Sequence, residues 1–327
     1  MEVKYWSSAG LMLTWWCTGR CASCYLSCSP DRDEWMSADE ALLLWGQLQD
    51  ASPFGCRIHL TGGEPFGRWE MLLDLCRQAK SLGLKPLEKI ETNAFWATDA
   101  NLVANRIKAL KEAGMAKLFI SADPYHQQYV PIARARLAAA VAEEILGPDG
   151  VQVRWEKWLR DGFDTDTSAL DEVSRLDRLS SLDGENHIRW QGRGARVLAG
   201  MQQLKPIAEL VDKPGIEALL RSKHCYVGPG GCIMPGTCGG IIFGKVGDSS
   251  VDELWQRLAD DYSTRNVVGT LARLGVGGLL KLAEQAGFVP AEGYASKCHL
   301  CWQVRAFFAG KQLHCDELGP GWMYDES

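Results

Sequence analysis

Between Leu11 and Leu204 the sequence alternates short apolar runs with longer amphipathic stretches, and this alternation limits the fold more than any other feature. An apolar run followed by a helix-length stretch is typical of a βα unit, whose strand joins a parallel sheet. We count six units, with strands predicted at Leu11–Trp16, Arg57–Thr61, Leu87–Thr92, Lys117–Ala122, Val151–Trp155 and His187–Trp190. Six units fall short of the eight in a closed barrel, so the pattern predicts an α/β fold with an open, partial (β/α)6 barrel.

After about residue 205 the alternation stops, and glycine-rich loops that carry cysteines replace it. The change predicts two domains, an α/β core over residues 1–205 and a small second domain over residues 206–327. A domain that is short and rich in loops commonly needs a metal to hold its shape. Within it we predict a short hairpin near Ile241–Val246, a helix capped by Ser250 with Glu253, a helical stretch to about Ala286 and a helix starting near Cys301.

The charge and hydropathy of the chain limit the kinds of partner that it can bind. The 327 residues include 35 Lys and Arg against 41 Asp and Glu, a net charge of −6, so no overall basic field exists to hold a nucleic-acid backbone. No run approaches the roughly 18 consecutive apolar residues of a membrane helix, and Met1–Trp16 lacks the layout of a signal peptide. We therefore expect a cytoplasmic protein with neither a membrane nor a nucleic acid as its partner.

Cysteine is enriched in this chain. Its 12 cysteines are many for an intracellular protein but well below the roughly 8 to 10% of a disulfide-stapled secreted domain, which points to metal or redox chemistry. Cys17, Cys21 and Cys24 form a CxxxCxxC directly after the first predicted strand. Three soft thiolates on one loop suit a [4Fe-4S] cluster with one iron left open for a non-protein ligand. The alternative is a zinc site completed by Cys28 or a histidine, although structural zinc favours CxxC pairs.

A second motif, Thr61-Gly62-Gly63-Glu64-Pro65, follows the second predicted strand. With the three cysteines before it, the sequence resembles the radical S-adenosylmethionine superfamily. The resemblance implies that Cys17, Cys21 and Cys24 hold a [4Fe-4S] cluster whose open iron chelates the amino and carboxylate groups of S-adenosylmethionine. It also implies that Gly62, Gly63 and Glu64 contact the amino group. Glycines allow close backbone approach, and a carboxylate is a natural partner for an ammonium.

Further contacts to S-adenosylmethionine are implied at the ends of later strands. The resemblance suggests Asn93 after the third strand, Ser121 and Asp123 after the fourth, and Arg154 on the fifth. Asn, Ser and Asp are also the preferred helix caps, and Arg154 could be a charge at the barrel rim, so these alternatives stay open. The sequence departs from the family at Ser23, where the residue before the third cysteine is usually aromatic.

Six of the remaining nine cysteines lie in the last third of the chain. Their order resembles the auxiliary-cluster domain of the SPASM/twitch subgroup, and one auxiliary [4Fe-4S] cluster fits better than two. The ligands that this implies are Cys225, Cys238, Cys298 and Cys301, with Cys232 or Cys315 as replacements. A structural zinc site made from the same thiolates is the alternative, because tetrahedral thiolate sites serve both metals.

The resemblance implies an oxidoreductase that accepts an electron from a flavodoxin- or ferredoxin-like partner. It would cleave S-adenosylmethionine to methionine and a 5′-deoxyadenosyl radical, which removes a hydrogen atom from the substrate. An auxiliary cluster implies a net two-electron oxidation, such as dehydrogenation or cross-link formation. Because only 16 residues precede Cys17, we expect a small-molecule substrate or a peptide presented by a separate partner. The alternatives from other classes are a non-catalytic iron-sulfur electron carrier and a zinc-stabilised binding protein.

Overall fold

The computed structural model describes residues 3–84, 87–154, 156–160, 167–181, 188–211, 214–247 and 249–324. The chain divides into two compact units. The strand–helix unit comprises residues 8–21 and 28–187, and the cysteine-rich unit comprises residues 1–7, 22–27 and 188–327. The predicted boundary lies near residue 205, whereas this division falls after residue 187 and also places residues 22–27 in the cysteine-rich unit.

A parallel sheet runs through the strand–helix unit. Its strands are β1 (Ser8–Met12), β2 (Arg57–Thr61), β3 (Leu87–Thr92), β4 (Lys117–Ser121) and β5 (Val151–Arg154). Neighbours along the order β5-β4-β3-β2-β1 are all parallel. The prediction of a mixed α/β fold with a parallel sheet is confirmed, and β2 and β3 have the predicted bounds.

The sixth predicted strand does not form over its described residues. His187 lies outside the described residues, and Ile188–Trp190 has no strand pairing. Instead, Arg189 Nη1 donates to the carbonyl of Gly236, 3.3 Å away in the cysteine-rich unit. The prediction of a sixth strand is therefore wrong over 188–190.

Helices alternate with these strands as predicted. Their bounds are α1 (Ala38–Ala51), α2 (Trp69–Ser81), α3 (Ala100–Glu112), α4 (Pro124–Gln127), α5 (Ile132–Leu146), α6 (Glu156–Arg160) and α7 (Glu172–Ser180). Ser37 caps α1, its hydroxyl accepting from the Glu40 amide at 3.1 Å. Because side chains alternate across a strand, Ile58 and Leu60 share one fully buried face of β2, whereas His59 and Thr61 lie on the other.

Short strands and four helices make up the described part of the cysteine-rich unit. Strands β7 (His224–Val227), β8 (Cys232–Pro235) and β9 (Gly244–Lys245) are antiparallel neighbours, and β6 (Lys205–Pro206) pairs with β10 (Gly293–Tyr294). The helices are α8 (Ile216–Leu219), α9 (Val251–Asp261), α10 (Val268–Gln285) and α11 (Lys297–Gly310). No helix in the described ranges is long and apolar enough to cross a membrane.

The hairpin of this unit is not where the sequence predicts it. It joins β7 to β8, and only Gly244–Lys245 of the predicted segment is a strand. Gly230 and Gly231, with φ of 76° and 72°, supply the left-handed conformations that this turn needs. The predicted capping box of Ser250 and Glu253 is confirmed in both directions at the start of α9.

Candidate metal and cofactor site

The first cysteine motif lies in an irregular loop. Strand β1 ends at Met12, earlier than the predicted Trp16. Leu13 still donates to the carbonyl of Thr61 in β2, but Trp15 donates to the Glu34 carbonyl, outside the sheet. Residues 17–28 form neither helix nor strand. Cys17 and Cys21 belong to the strand–helix unit, and Cys24 belongs to the cysteine-rich unit.

The two glycines of the second motif pack against the segment that leads into Cys17. A Cβ added at Gly63 would overlap the Trp16 carbonyl, and Gly62 has a φ of 135°. The Gly63 amide donates to the Thr14 carbonyl and the Glu64 amide to the Trp16 carbonyl, both at 2.8 Å. The close backbone approach that the glycines predict is therefore present, and it is an approach to this chain's own backbone.

Glu64 joins the ends of two strands. Its buried carboxylate accepts from the amide of Asn93 at 2.6 Å, the hydroxyl of Thr92 at 2.9 Å and the amide of Phe66 at 3.1 Å. Burial raises the pKa of Glu64 to about 7, although these hydrogen bonds oppose the shift. The carboxylate is engaged by protein donors, and its contact with an ammonium stays a prediction.

Asn93 connects the second motif to the first. Its Nδ2 donates to the Thr18 hydroxyl at 3.0 Å and lies 3.6 Å from Cys17 Sγ, while its Oδ1 accepts from the Phe95 amide at 3.0 Å. An amide beside a cysteine sulfur holds that side chain in place and can donate to the thiolate form. Asn93 therefore lies at the predicted cluster loop.

Ser121, Asp123 and Arg154 lie at the carboxyl edge of the sheet, where ligands of parallel sheets bind. Ser121 and Arg154 are opposite each other in the β4–β5 ladder. Asp123 caps α4, accepting from the amides of Tyr125 at 2.8 Å and His126 at 3.0 Å, and its Oδ2 lies 2.6 Å from His126 Nδ1. Burial raises the pKa of Asp123, but His126 and these amides outweigh it and hold the pKa below its usual value. Asp123 is therefore the N-cap of α4.

The sequence analysis did not predict a polar cluster on β2 and β3, which lies on the face of the sheet opposite Ile58 and Leu60. Glu91 Oε1 lies 2.9 Å from Lys89 Nζ and 3.6 Å from His59 Nε2, and Thr61 donates to Glu91 Oε2 at 2.8 Å. Burial raises the pKa of Glu91, but His59 and Lys89 outweigh it and hold the carboxyl below its usual range. The alternation of polar and apolar residues in Arg57–Thr61 and Leu87–Thr92 is the signal that predicts such a face.

The second group of cysteines is partly brought together. Cys298 and Cys301 lie on α11, and Cys238 lies in the loop after β8. Burial, together with the neighbouring Cys238 and Cys301 thiols, raises the pKa of Cys298 to about 11. Burial likewise raises the pKa of Cys301. These three of the four predicted ligands are electrostatic neighbours.

The other candidates of this group lie elsewhere in the unit. Cys225 is buried in β7, Cys232 begins β8, and Cys315 is exposed after α11. As it stands, no group of three or more His, Cys, Asp or Glu within the described ranges has the geometry to hold a metal ion. The choice among these cysteines therefore stays a prediction.

A buried network joins the Cys238 loop to α11. Arg305 Nη1 donates to the Gly239 carbonyl and to the Tyr324 hydroxyl, both at 2.8 Å, and the Cys301 thiol is an electrostatic neighbour of the guanidinium. The Tyr324 hydroxyl in turn donates to the Gly240 carbonyl at 2.5 Å. The spacing of Cys301 and Arg305, four residues apart on one helix, is a signal that could have predicted this contact.

A short connector bonds to both cysteine loops of the cysteine-rich unit. The Arg193 amide donates to the Cys24 carbonyl at 3.1 Å, and its guanidinium donates to the Ser27 carbonyl at 3.1 Å. The Gln191 side chain donates to the Thr237 carbonyl at 2.9 Å and accepts from the Gly239 amide at 2.8 Å. Residues 191–193 therefore hold the loop of Cys24 and the loop of Cys238 together.

Comparison with known proteins gives matches among solved structures. No protein-family model and no curated protein matches the sequence. The chain is similar to BtrN in complex with AdoMet and 2-DOIA, with 18% identity and a TM-score of 0.48 over 84% of this chain and 90% of that one. It is also similar to Streptococcus suis SuiB bound to precursor peptide SuiA, with 12% identity and a TM-score of 0.38 over 78% and 65% of the chains.

A third match is anSMEcpe with bound AdoMet, with 19% identity and a TM-score of 0.32 over 45% of this chain and 41% of that one. Two of these structures, those of BtrN and anSMEcpe, have AdoMet bound.

Proposed function

We propose that this chain is a radical S-adenosylmethionine enzyme, with the strand–helix unit as its partial barrel and the cysteine-rich unit as a twitch-like auxiliary domain. The observation that carries the proposal is the junction of the two motifs. Gly63 and Glu64 bond to the backbone just before Cys17, and Asn93, which bonds to Glu64, lies against the Cys17 sulfur. An iron-sulfur carrier has no need of such a junction.

The donor chemistry fits the groups that the motifs imply. Cys17, Cys21 and Cys24 would hold a [4Fe-4S] cluster, and three thiolates leave one iron for S-adenosylmethionine. When bound, the cluster supplies the electron that cleaves S-adenosylmethionine and starts hydrogen-atom abstraction. The protein's part is to orient the reactants and exclude water. Asn93 orients the Cys17 side chain, and Ser121 and Arg154 offer polar groups at the same sheet edge.

The polar face of the sheet supports a polar substrate. The carboxylate of Glu91, the ammonium of Lys89 and the hydroxyl of Thr61 lie together there, and charged groups on a sheet face suit a polar substrate. We propose a polar small molecule or a peptide, oxidised by two electrons with the auxiliary [4Fe-4S] cluster as acceptor. A flavodoxin- or ferredoxin-like protein would supply the reducing electron, and the setting would be cytoplasmic.

The test is anaerobic reconstitution, iron and sulfide counting, and detection of 5′-deoxyadenosine by mass spectrometry after adding S-adenosylmethionine and dithionite. We expect about eight irons per chain, as for two [4Fe-4S] clusters. Cys21→Ala should form no 5′-deoxyadenosine, and Cys301→Ala should lose about half of the iron. The matched control is Cys76→Ala, a buried cysteine in α2 outside both motifs.

Each alternative function predicts a different result. Iron without cleavage of S-adenosylmethionine would indicate an electron carrier, and zinc without iron would indicate a zinc-stabilised binding protein. A Cys21→Ala protein that still makes 5′-deoxyadenosine would contradict the assignment itself.

A further inference from the structure

The two faces of the parallel sheet in the strand–helix unit differ in polarity. On one face, the side chains of β2, β3 and β4 are apolar and fully buried: Ile58, Leu60, Ile90, Leu118 and Ile120. The other face carries Lys89 and Glu91, which are partly exposed, and Lys117, which is exposed. Parallel sheets are ordinarily apolar on both faces, because helices cover both. The polar face is therefore suited to a polar ligand instead of a packed helix.

Lys89 and Lys117 are direct neighbours in the β3–β4 ladder. Neighbouring strands lie about 4.8 Å apart. Side chains alternate along a strand, so Lys117 shares a face with Phe119, whose ring centroid lies 4.4 Å from Lys89 Nζ. The two lysines thus lie side by side on the polar face. Two ammonium groups in this arrangement repel each other unless a negative charge lies close to both.

A single carboxylate compensates this pair within the described ranges. Glu91 Oε1 lies 2.9 Å from Lys89 Nζ and 3.6 Å from His59 Nε2, and Glu91 Oε2 accepts from Thr61. His59 and Thr61 belong to β2, and β4 lies on the opposite side of β3. The side chain of Lys117 has no carboxylate partner among the described residues. The two ammonium groups therefore lack a second negative charge, and the position for it is on the β4 side of Lys89.

We propose that Lys89 and Lys117 bind an oxyanion of the substrate, a carboxylate or a phosphate group; that the ligand is the substrate rests on the proposed function. An ammonium group has three donors, and Glu91 accepts from Lys89 on one side only. An oxyanion on the other side accepts charge-assisted hydrogen bonds from both lysines. It also supplies the missing negative charge, and the Phe119 ring keeps Lys89 Nζ in place.

This site is separate from the one proposed for S-adenosylmethionine. Lys89 precedes Asn93 by four residues along β3, which is about 13 Å at ~3.3 Å per residue. Asn93 lies at the predicted cluster loop, 3.6 Å from Cys17 Sγ. A substrate held by its oxyanion at Lys89 and Lys117 must therefore extend over about this length to reach the reacting group.

The experiment measures binding, without turnover. Thermal unfolding of the full-length chain is followed at increasing concentrations of inorganic phosphate and, separately, of acetate, with sodium chloride holding the ionic strength constant. The rise of the midpoint with concentration gives a Kd for each anion. Lys117→Gln is the main variant, because Lys117 is exposed and its replacement disturbs no core packing. Lys80→Gln is the matched control, since Lys80 is also exposed but donates to the Glu112 carbonyl, between two helices.

We expect the parent to bind phosphate, acetate or both, and the anion that it binds identifies the group on the substrate. Lys117→Gln should weaken this binding at least about tenfold, as expected for the loss of a hydrogen bond between charged groups. Lys117→Arg keeps the charge and should keep the binding, and Lys80→Gln should bind as the parent does. Equal binding by the parent and Lys117→Gln, or no binding of either anion by the parent, would overturn the inference.

Glu91→Gln gives a comparison of opposite sign. Without this carboxylate, Lys89 and Lys117 have no internal counter-charge, so the oxyanion should bind several-fold more tightly than to the parent. A Glu91 with a merely structural role predicts weaker or unchanged binding in the variant, and either result would contradict the inference.

These measurements are independent of the cleavage of S-adenosylmethionine. A chain that binds an oxyanion through Lys117 but forms no 5′-deoxyadenosine would refute the proposed function and leave the oxyanion site standing. A chain that forms 5′-deoxyadenosine but binds neither phosphate nor acetate would refute the oxyanion site alone.

Discussion

Replacing Gly63 by Ala tests how the two motifs are joined. The added Cβ would overlap the Trp16 carbonyl and crowd that of Trp15, and both are backbone groups that cannot rotate away. The segment must shift, which breaks the hydrogen bonds from Gly63 to Thr14 and from Glu64 to Trp16. Each bond contributes about 0.5 to 1.5 kcal/mol, and overpacking costs typically about 1 to 3 kcal/mol. We expect a loss of about 2 to 6 kcal/mol, a large share of an ordinary unfolding free energy.

Urea unfolding, followed by tryptophan fluorescence, measures this loss, and iron counting shows whether the segment before Cys17 still holds its place. The matched control is Gly46→Ala in α1, where the nearest atom to the new Cβ is Leu84 Cδ2 at 3.9 Å. Ala is favoured over Gly inside a helix, so this control should gain about 0.5 to 1 kcal/mol. A Gly63→Ala protein with parental stability and full iron would refute the reasoning.

Two further substitutions test the buried carboxylates. The folded pKa of Glu64 is raised from 4.5 to about 7, so charging Glu64 destabilises the fold as the pH rises through that window. In urea unfolding, the parent should lose about 3 kcal/mol of unfolding free energy relative to Glu64→Gln between pH 4.5 and 7. Parallel pH curves for the two proteins would contradict this. Asp123→Ala should cost more than Asp99→Ala: both lose a cap of about 1 to 2 kcal/mol, but only Asp123 also pairs with His126. Because the folded pKa of Asp123 is lowered, the extra stability from its pairing with His126 is present at neutral pH and is lost as the pH falls through that folded pKa. Equal losses of stability for Asp123→Ala and Asp99→Ala at pH 7 would show that the pairing adds nothing.

Elements with strong local signals were predictable from sequence. Strands β2 and β3 have the predicted bounds because each is a short run with β-favouring residues at the buried positions. The cap of α9 follows from Ser250 and Glu253 alone, since a capping box is completed within four residues. Polar side chains at strand ends were also predictable in position, and Ser121 and Arg154 do lie at the carboxyl edge.

Features set by distant partners were not predictable. The apolar run from Leu13 to Trp16 is typical of a strand, yet from Thr14 onward its amides and carbonyls bond to Glu34, Gly63 and Glu64, which the local sequence cannot reveal. Ile188–Trp190 is equally strand-like, yet it has no strand pairing, and the Arg189 side chain donates to the Gly236 carbonyl. Arg305 is buried and forms no ion pair with a carboxylate within the described ranges, and neither property can be inferred from the local sequence.

Cys24 lies in the same unit as the second group of cysteines. By sequence it completes the first motif, but its loop, residues 22–27, clusters with the cysteine-rich unit. There Arg193 holds the Cys24 carbonyl, and Gln191 holds the backbone on both sides of Cys238. A glutamine does this because one side chain both donates and accepts. One set of hydrogen bonds therefore fixes the loop of Cys24 relative to the loop of Cys238 within the cysteine-rich unit.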